Sequence, residues 1–241
     1  MREERVPEHP IEAGQEITAP DAEPRSAAPW PFAGLTARSG DLELRYPDDE
    51  LLAAVATVAA TGVHAEDLLP FNSPWTRGTP VQVARSVFAY AWGKRAAMSP
   101  SDWTIELAVL VDGVPVGLQA MTGRDFAVVR SVRSGSWIGR AHQGRGIGTR
   151  MRALMLHLAF AGLGAEVATT GAWADNGPSI GVTRKLGYSP NGRQVESRDG
   201  RATEKLHFRL ARADWEETVA ARLPNVTLTG TEQVREFLLI R

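Results

Sequence analysis

From residue 42 the chain alternates apolar and polar positions. Leu42-Glu43-Leu44-Arg45-Tyr46 has the period of two expected of a half-buried strand. After Pro47 the acidic run Asp48-Asp49-Glu50 opens a stretch in which Leu51, Leu52, Val55 and Val58 keep helical spacing. Pro70, Pro74 and Gly78 then mark a loop, and Thr79-Pro80 is a good cap and first-turn pair. The helix it opens carries Val83, Val87, Tyr90 and Ala91 on one side. Residues 104–111 and 114–120 read as paired strands around the turn Asp112-Gly113, and a third strand follows at 130–138. A loop at 140–146 opens a helix with the apolar stripe Ile147, Met151, Leu154, Leu158 and Ala161, ended by Gly162 and Gly164. Residues 167–173 predict a strand, and 179–186 a short helix stopped by Gly187. A hairpin follows at 194–197 and 204–210 around Asp199-Gly200. Residues 216–241 read as a helix and then a final extended segment. The order β, α, α, hairpin, β, α, β, α, ββ predicts an α+β fold with a strand–loop–helix unit at its centre.

The first 33 residues show neither period. They are rich in Glu, Pro and Ala, so they predict a mobile arm that could still order against a partner subunit, as in a homodimer. The division expected is an arm at 1–33, one catalytic domain at 34–216 and a C-terminal extension at 217–241. Composition narrows the chemistry: with no cysteine in the chain, disulfides, thiolate metal sites and a covalent thioester intermediate on the protein are excluded. No metal is expected. No apolar run is long enough to span a bilayer and no signal-like segment is visible, so the expectation is a cytoplasmic protein without membrane contact. The net charge of -1 gives no general attraction to nucleic acid. Basic residues are nevertheless concentrated between 124 and 152, where seven arginines face only Asp125. That stretch is either a solvated surface or an anion site.

Gln143-Gly144-Arg145-Gly146-Ile147-Gly148 lies inside it, between a predicted strand and an amphipathic helix. Glycines allow close backbone approach to a bulky anion, and the first helical turn offers N–H donors that the helix itself does not use. With the helix dipole these make a pyrophosphate site. Arg145, Arg140 and Arg150 are candidates to add charge. A dinucleotide-binding unit fails on context, because the loop comes late and no repeated parallel βαβ halves follow. A P-loop is excluded because no Lys-Ser or Lys-Thr follows the glycines.

Gln-x-x-Gly-x-Gly at such a junction resembles the acyl-CoA pyrophosphate motif of the GNAT acetyltransferases. Downstream, Asp175-Asn176-Gly177-Pro178-Ser179 and Arg184-Lys185-Leu186-Gly187-Tyr188 resemble the family's later signatures, in the family's order. The likeness covers roughly residues 40–216 and points to the Rim-type branch of ribosomal-protein and small-molecule N-acetyltransferases. It is closer still to an actinobacterial group that includes a mycobacterial succinyltransferase. The stretches carrying that likeness are Pro74-Trp75-Thr76-Arg77, Leu107 to Gly113, Ser134-Gly135-Ser136-Trp137 and Asp214-Trp215.

The resemblance implies a mixed, mostly antiparallel sheet with a V-shaped splay, flanked by helices. The donor implied is acetyl-CoA or another acyl-CoA, succinyl-CoA included, and the acceptor an amine of a small molecule or protein. Donor contacts fall on Ile138, Gln143, Gly144, Arg145, Gly146, Ile147, Gly148, Thr149, Asn176, Ser179 and Lys185. The amine must lose a proton and attack the thioester directly. Many members carry a tyrosine acid where this chain has Thr183, and Rim-type members often carry a glutamate where Arg133 stands. Asp125 and Ser136 are the candidate catalytic residues. Asp125 leads the possible bases, ahead of Glu106, Asp175 and His142. Arg133 and Arg77 are candidates to pair with the carboxylate of a succinyl group or of an acidic acceptor, beside Trp75. Two other functions remain open at this stage: an amide-forming enzyme that takes its acyl group from an aminoacyl-tRNA, and an acyl-CoA sensor without turnover.

Overall fold

The computed structural model describes residues 29–66, 68–218 and 223–240. The arm assigned to 1–33 therefore lies outside the described residues up to 28. Phe32, which that assignment placed in the arm, is fully buried. It packs against Tyr46 and Phe237, because an aromatic pair and a helix face are available to cover it.

Strands β1 (Thr36–Ser39) and β2 (Leu42–Arg45) form the first hairpin. Helix α1 (Asp49–Ala60) is capped by Asp48, whose carboxylate accepts from the Leu51 amide at 2.8 Å. Helix α2 (Pro80–Ala96) starts with a full capping box, Thr79 with Gln82. The hairpin β3 (Asp102–Val111) and β4 (Val114–Arg124) turns at Asp112-Gly113, where both residues have positive φ. A short turn α3 (Phe126–Val129) leads to β5 (Ser131–Ile138). Helix α4 (Ile147–His157) continues through a π-helical turn, Leu158–Gly162. Then come β6 (Val167–Trp173), α5 (Gly177–Lys185) and the hairpin β7 (Ser189–Arg198) with β8 (Arg201–Ala211).

The tail departs from the predicted order. After α6 (Arg212–Thr218), strand β9 (Thr227–Thr229) precedes the last helix, α7 (Thr231–Phe237). β9 pairs with β1, and Val234, Leu238 and Ile240 are buried in the main core. Within the stretch assigned to an extension, β9 and α7 thus contribute to the same sheet and core.

Among the described residues nine strands form one sheet in the order β7-β8-β6-β5-β4-β3-β2-β1-β9. α1 and α2 cover one face through a cluster that includes Leu52, Val55, Val87, Leu118 and Trp137. α4, α5, α6 and α7 bury their apolar stripes on the other, larger cluster. Every pairing is antiparallel except that of β5 with β6. These two strands pair only from Ser131–Arg133 to Val167–Thr169 and then part. β5 stays bonded to β4 as far as Ile138, and β6 to β8 as far as Trp173, so each is held by its outer neighbour while the gap opens. At the fork, side-chain hydroxyls replace the ladder: Thr170 Oγ1 donates to the Ser134 carbonyl at 3.3 Å, and Thr169 Oγ1 to that of Val132 at 3.1 Å. The result is a notch in the middle of the sheet, open toward the start of α4.

Candidate active site

The loop that closes the open end of the notch is built to leave donors free. Gly144 and Gly146 have φ of +74° and +76°, a left-handed region costly for residues with a Cβ. Gly146 is the cap residue of α4, and no side chain caps that helix. The amides of Gly144, Arg145, Gly146, Ile147 and Gly148 accordingly find no acceptor among the described residues. The helix dipole adds positive potential there, and the Arg145 side chain makes no ion pair among the described residues. Such a cradle fits a diphosphate. A Cβ on Gly146 would stand in open space. One on Gly148 would turn inward, at 3.6 Å from Val182 and 3.7 Å from Ile138, so Gly148 faces the α4–α5 contact instead of open space.

Gln143 serves the cradle from behind. Its Nε2 donates to the carbonyls of Val63 at 2.6 Å and Ile138 at 2.8 Å, tying the loop to the end of α1 and the end of β5. Each such bond is worth about 1 kcal/mol. Gln143→Ala is therefore expected to weaken CoA about tenfold and lower the melting temperature by a few degrees. Titration calorimetry and a thermal melt read the two effects separately. Arg150, considered for phosphate charge, is instead paired with Asp41.

Along the notch, Asn176 caps α5, its Oδ1 accepting from the Ser179 amide at 3.2 Å. Thr149 is half-buried in the first turn of α4, and Lys185 is exposed in the last turn of α5. On the α4 side of β5, Ser136 Oγ accepts from Arg152 at 3.3 Å, and Arg152 also donates to Thr183 Oγ1 at 2.9 Å. Arg152 was not singled out from the sequence; it reads there as one more helix-surface arginine. It is buried, with no carboxylate partner among the described residues, and burial pulls its pKa down.

On the α1–α2 side the fork opens into a cleft of about 360 Å³, lined by Arg133, Thr169, Asn191, Arg193 and His207 among others. Arg193 is paired with Glu204 at 3.3 Å, and Glu196 stands 3.9 Å from His207 and within electrostatic reach of Arg133. A bulge between Pro190 and Arg193 bends β7 to form its rim. Trp75 stacks on Phe71 and Trp137 beside this face, with centroids 5.0 and 5.8 Å away. Arg77 does not join the cleft, because it makes a two-point pair with Asp199 at the β7–β8 turn.

The possible bases are scattered. Asp125 is exposed, with φ +47°, just after β4. The strand register puts it by the closed, paired end of β5, away from the notch. Asp175 is bound to Arg198, which holds its carboxyl below the usual carboxylate range. His142 stands in the turn beside the cradle. Glu106 differs from all three: it is buried, has no hydrogen bond or ion pair among the described residues, and burial pushes its pKa up to about 7 against the pull of Lys94 and Arg95.

A forked sheet with an amide cradle at the head of the next helix defines an enzyme that takes an acyl group from a CoA thioester. A family model described as the acetyltransferase (GNAT) domain matches residues 41–189, more than half of the chain. The chain belongs to the GNAT family and is an acyl-CoA-dependent N-acyltransferase. Among solved structures it resembles Mycobacterium smegmatis RimJ bound to a CoA disulfide, at 20% identity over 84% of this chain and 92% of that one, TM-score 0.61. It also resembles RimL, the ribosomal L7/L12 α-N-protein acetyltransferase, with CoA, at 18% identity over 72% and 95%, TM-score 0.58. The microcin C7 self-immunity acetyltransferase MccE with acetyl-CoA and AMP is similar at 13% identity over 71% and 92%, TM-score 0.53. Among the described residues no helix is long and apolar enough to cross a membrane, and no group of three or more His, Cys, Asp or Glu is placed to hold a metal.

Proposed function

We propose that the chain moves an acyl group from CoA directly to a primary amine of a small molecule or protein, and that it accepts acyl groups ending in a carboxylate, such as succinyl. The observation that carries the second part is the position of Arg133. It sits on the last paired rung of β5 and β6, on the α1–α2 side, in a cleft that also holds Arg193 and His207. A thioester lying in the notch brings its acyl carbon to that fork, and a four-carbon diacid chain continues through it toward the Arg133 guanidinium. A charge-assisted pair there would favour the carboxylate. An acidic acceptor entering from the same side is the second reading, supported by the same arginine.

Both readings have the amine nitrogen attacking the thioester carbonyl carbon while a base takes its proton. Glu106 supplies that base through water. Glu106, Ala120 and Gly135 form one cross-strand row on β3, β4 and β5. Strands are about 4.8 Å apart, so the carboxyl lies roughly 10 Å from the splayed strand. Along this row stand the Ala120 methyl group, packed on the α1–α2 cluster, and Gly135, whose missing Cβ would meet nothing within 4 Å. That space suits a short water line.

Arg133→Ala is expected to cut kcat/KM for succinyl-CoA about tenfold and leave that for acetyl-CoA within twofold, the loss of one partly exposed charged hydrogen bond. If the ratio holds while KM rises for acidic amines only, the carboxylate belongs to the acceptor. Equal use of both donors and of neutral and acidic amines, unchanged by the substitution, would remove the anion reading altogether.

A further inference from the structure

A buried arginine without a counter-ion is costly, because the several kcal/mol lost on leaving water must be offset by something. Arg152 is such a group. It is 5% exposed, its Nε has no hydrogen-bond partner among the described residues, and its two terminal nitrogens spend themselves on hydroxyls, Thr183 and Ser136. It stands on the helix whose first turn forms the phosphate cradle and touches β5 in the half that has parted from β6. Further polar atoms without partners lie around the same stretch of β5. The Gln119 amide oxygen is buried and unpaired on the strand position directly opposite Ser136. The Tyr188 hydroxyl makes no well-formed hydrogen bond among the described residues, and burial pushes its pKa up to about 12 against the pull of Arg152 and of the nearby Ser134 hydroxyl.

The two hydroxyls differ in what is left to them. Thr183 Oγ1 accepts from Arg152 and gives its own proton to the Ser179 carbonyl at 2.9 Å, so it has none to offer a ligand. Ser136 Oγ also accepts from Arg152 but makes no other hydrogen bond among the described residues. Its proton is free, and Ser136 is only half-buried, on the edge of the notch. We propose that Ser136 is the hydrogen-bond donor to the CoA sulfur as the thiolate departs, with Arg152 as the positioning residue that aims and polarises its hydroxyl.

In the transfer, the C–N bond forms as the amine lone pair attacks. The C–S bond then breaks and its electron pair stays on sulfur. The amine proton goes to water and the base, and the thiolate collects a proton from solvent after release. Ser136 and Arg152 lower the energy of the sulfur anion without giving up a proton themselves, which suits a chain that has Thr183 where a proton donor is often found. The inference rests on the acyl-CoA activity and not on the identity of the amine or the acyl chain.

The test reads the sulfur directly. Thiolate absorbs in the far ultraviolet where thiol does not, so the pKa of CoA bound to the purified enzyme can be titrated. In the unaltered enzyme that pKa is expected at least about one unit below that of free CoA, the usual effect of a nearby cation and donor. Ser136→Ala and Arg152→Met should each return it to the free value and lower kcat at least about tenfold; Arg152→Lys, which keeps the charge but loses the fork, should recover part of the shift. Desulfo-CoA, which lacks the sulfur, should bind all four proteins within about threefold. An unshifted thiol in the unaltered enzyme overturns the proposal. So does a loss of desulfo-CoA binding as large as the loss for CoA, since that would make the pair a structural support. Failure of the acyl-chain reading would leave the thiol titration untouched.

Discussion

Gly146→Val is expected to abolish measurable CoA binding, a loss of at least about a hundredfold, while the protein stays folded. Gly146 holds φ +76° at the start of α4. A β-branched residue there costs about 1–2 kcal/mol in the left-handed region, which a domain of ordinary stability survives. Relief of that strain rotates the peptide planes on both sides, and those planes carry the amides of Arg145, Gly146 and Ile147 that point away from any protein acceptor. Hydrogen bonds to a charged group are worth about 1.5–3 kcal/mol each, so losing two of them yields the hundredfold or more. The added side chain also enters the open space in front of the loop. Calorimetric titration with CoA, beside circular dichroism and a melt of the free protein, separates affinity from folding. CoA affinity within threefold of the unaltered protein would remove the cradle from the mechanism. Gly148→Ala is the contrast: its methyl would meet Ile138 and Val182 at ordinary contact distance, and binding should change little.

That contrast shows what the sequence can and cannot carry. The glycine loop, the strand before it and the stripe of α4 are local features, and the period of two, the period of 3.6 and the turn residues report them directly. β1 was missed because Thr36-Ala37-Arg38-Ser39 has almost no apolar signal and owes its place to β2 and to β9, which lies far away in sequence. The final helix α7 was missed for a related reason: its seven residues bury only Val234 within the helix. The same limit governs the site. Gly144 to Gly148 leave their amides without acceptors among the described residues, but Arg77 and Arg150 are paired with Asp199 and Asp41, partners that no spacing rule connects. Asp125 was favoured for following a hairpin strand, and only the register of β4 on β5 shows that it stands by the closed end. Arg152 is invisible as a buried charge until α4, α5 and β5 are packed around it.

Glu106 carries the other large effect, on stability as well as rate. The residue is 8% exposed and its pKa in the folded chain is about 7, against an ordinary 4.5, because burial disfavours the anion more than Lys94 and Arg95 on α2 favour it. Tyr46, Pro47, Ala91 and Thr104 also line its surroundings, and Tyr90 lies within electrostatic reach. Below pH 4.5 the group is neutral folded or unfolded, and its titration costs the fold nothing. As pH rises from 4.5 to 7 the unfolded chain ionises and the folded one resists, so stability falls; above 7 the penalty is complete. A difference of about 2.5 pKa units corresponds to roughly 3 kcal/mol. Glu106→Gln keeps the shape and removes the charge, so at pH 8 it should melt several degrees above the unaltered protein, with the gain vanishing toward pH 4. The same substitution should lower kcat/KM about a hundredfold, the usual worth of a positioned base, and erase the acid limb of its pH profile near 7. A gain in stability with the rate and the acid limb intact would leave Glu106 a buried strain with no part in proton removal. A variant no more stable at pH 8 than at pH 4 would mean that the carboxylate is solvated in the folded chain, and neither effect would then remain. A residue that weakens the fold near neutral pH and speeds the reaction there is the trade expected of a poorly hydrated base that reaches the notch through a short line of water.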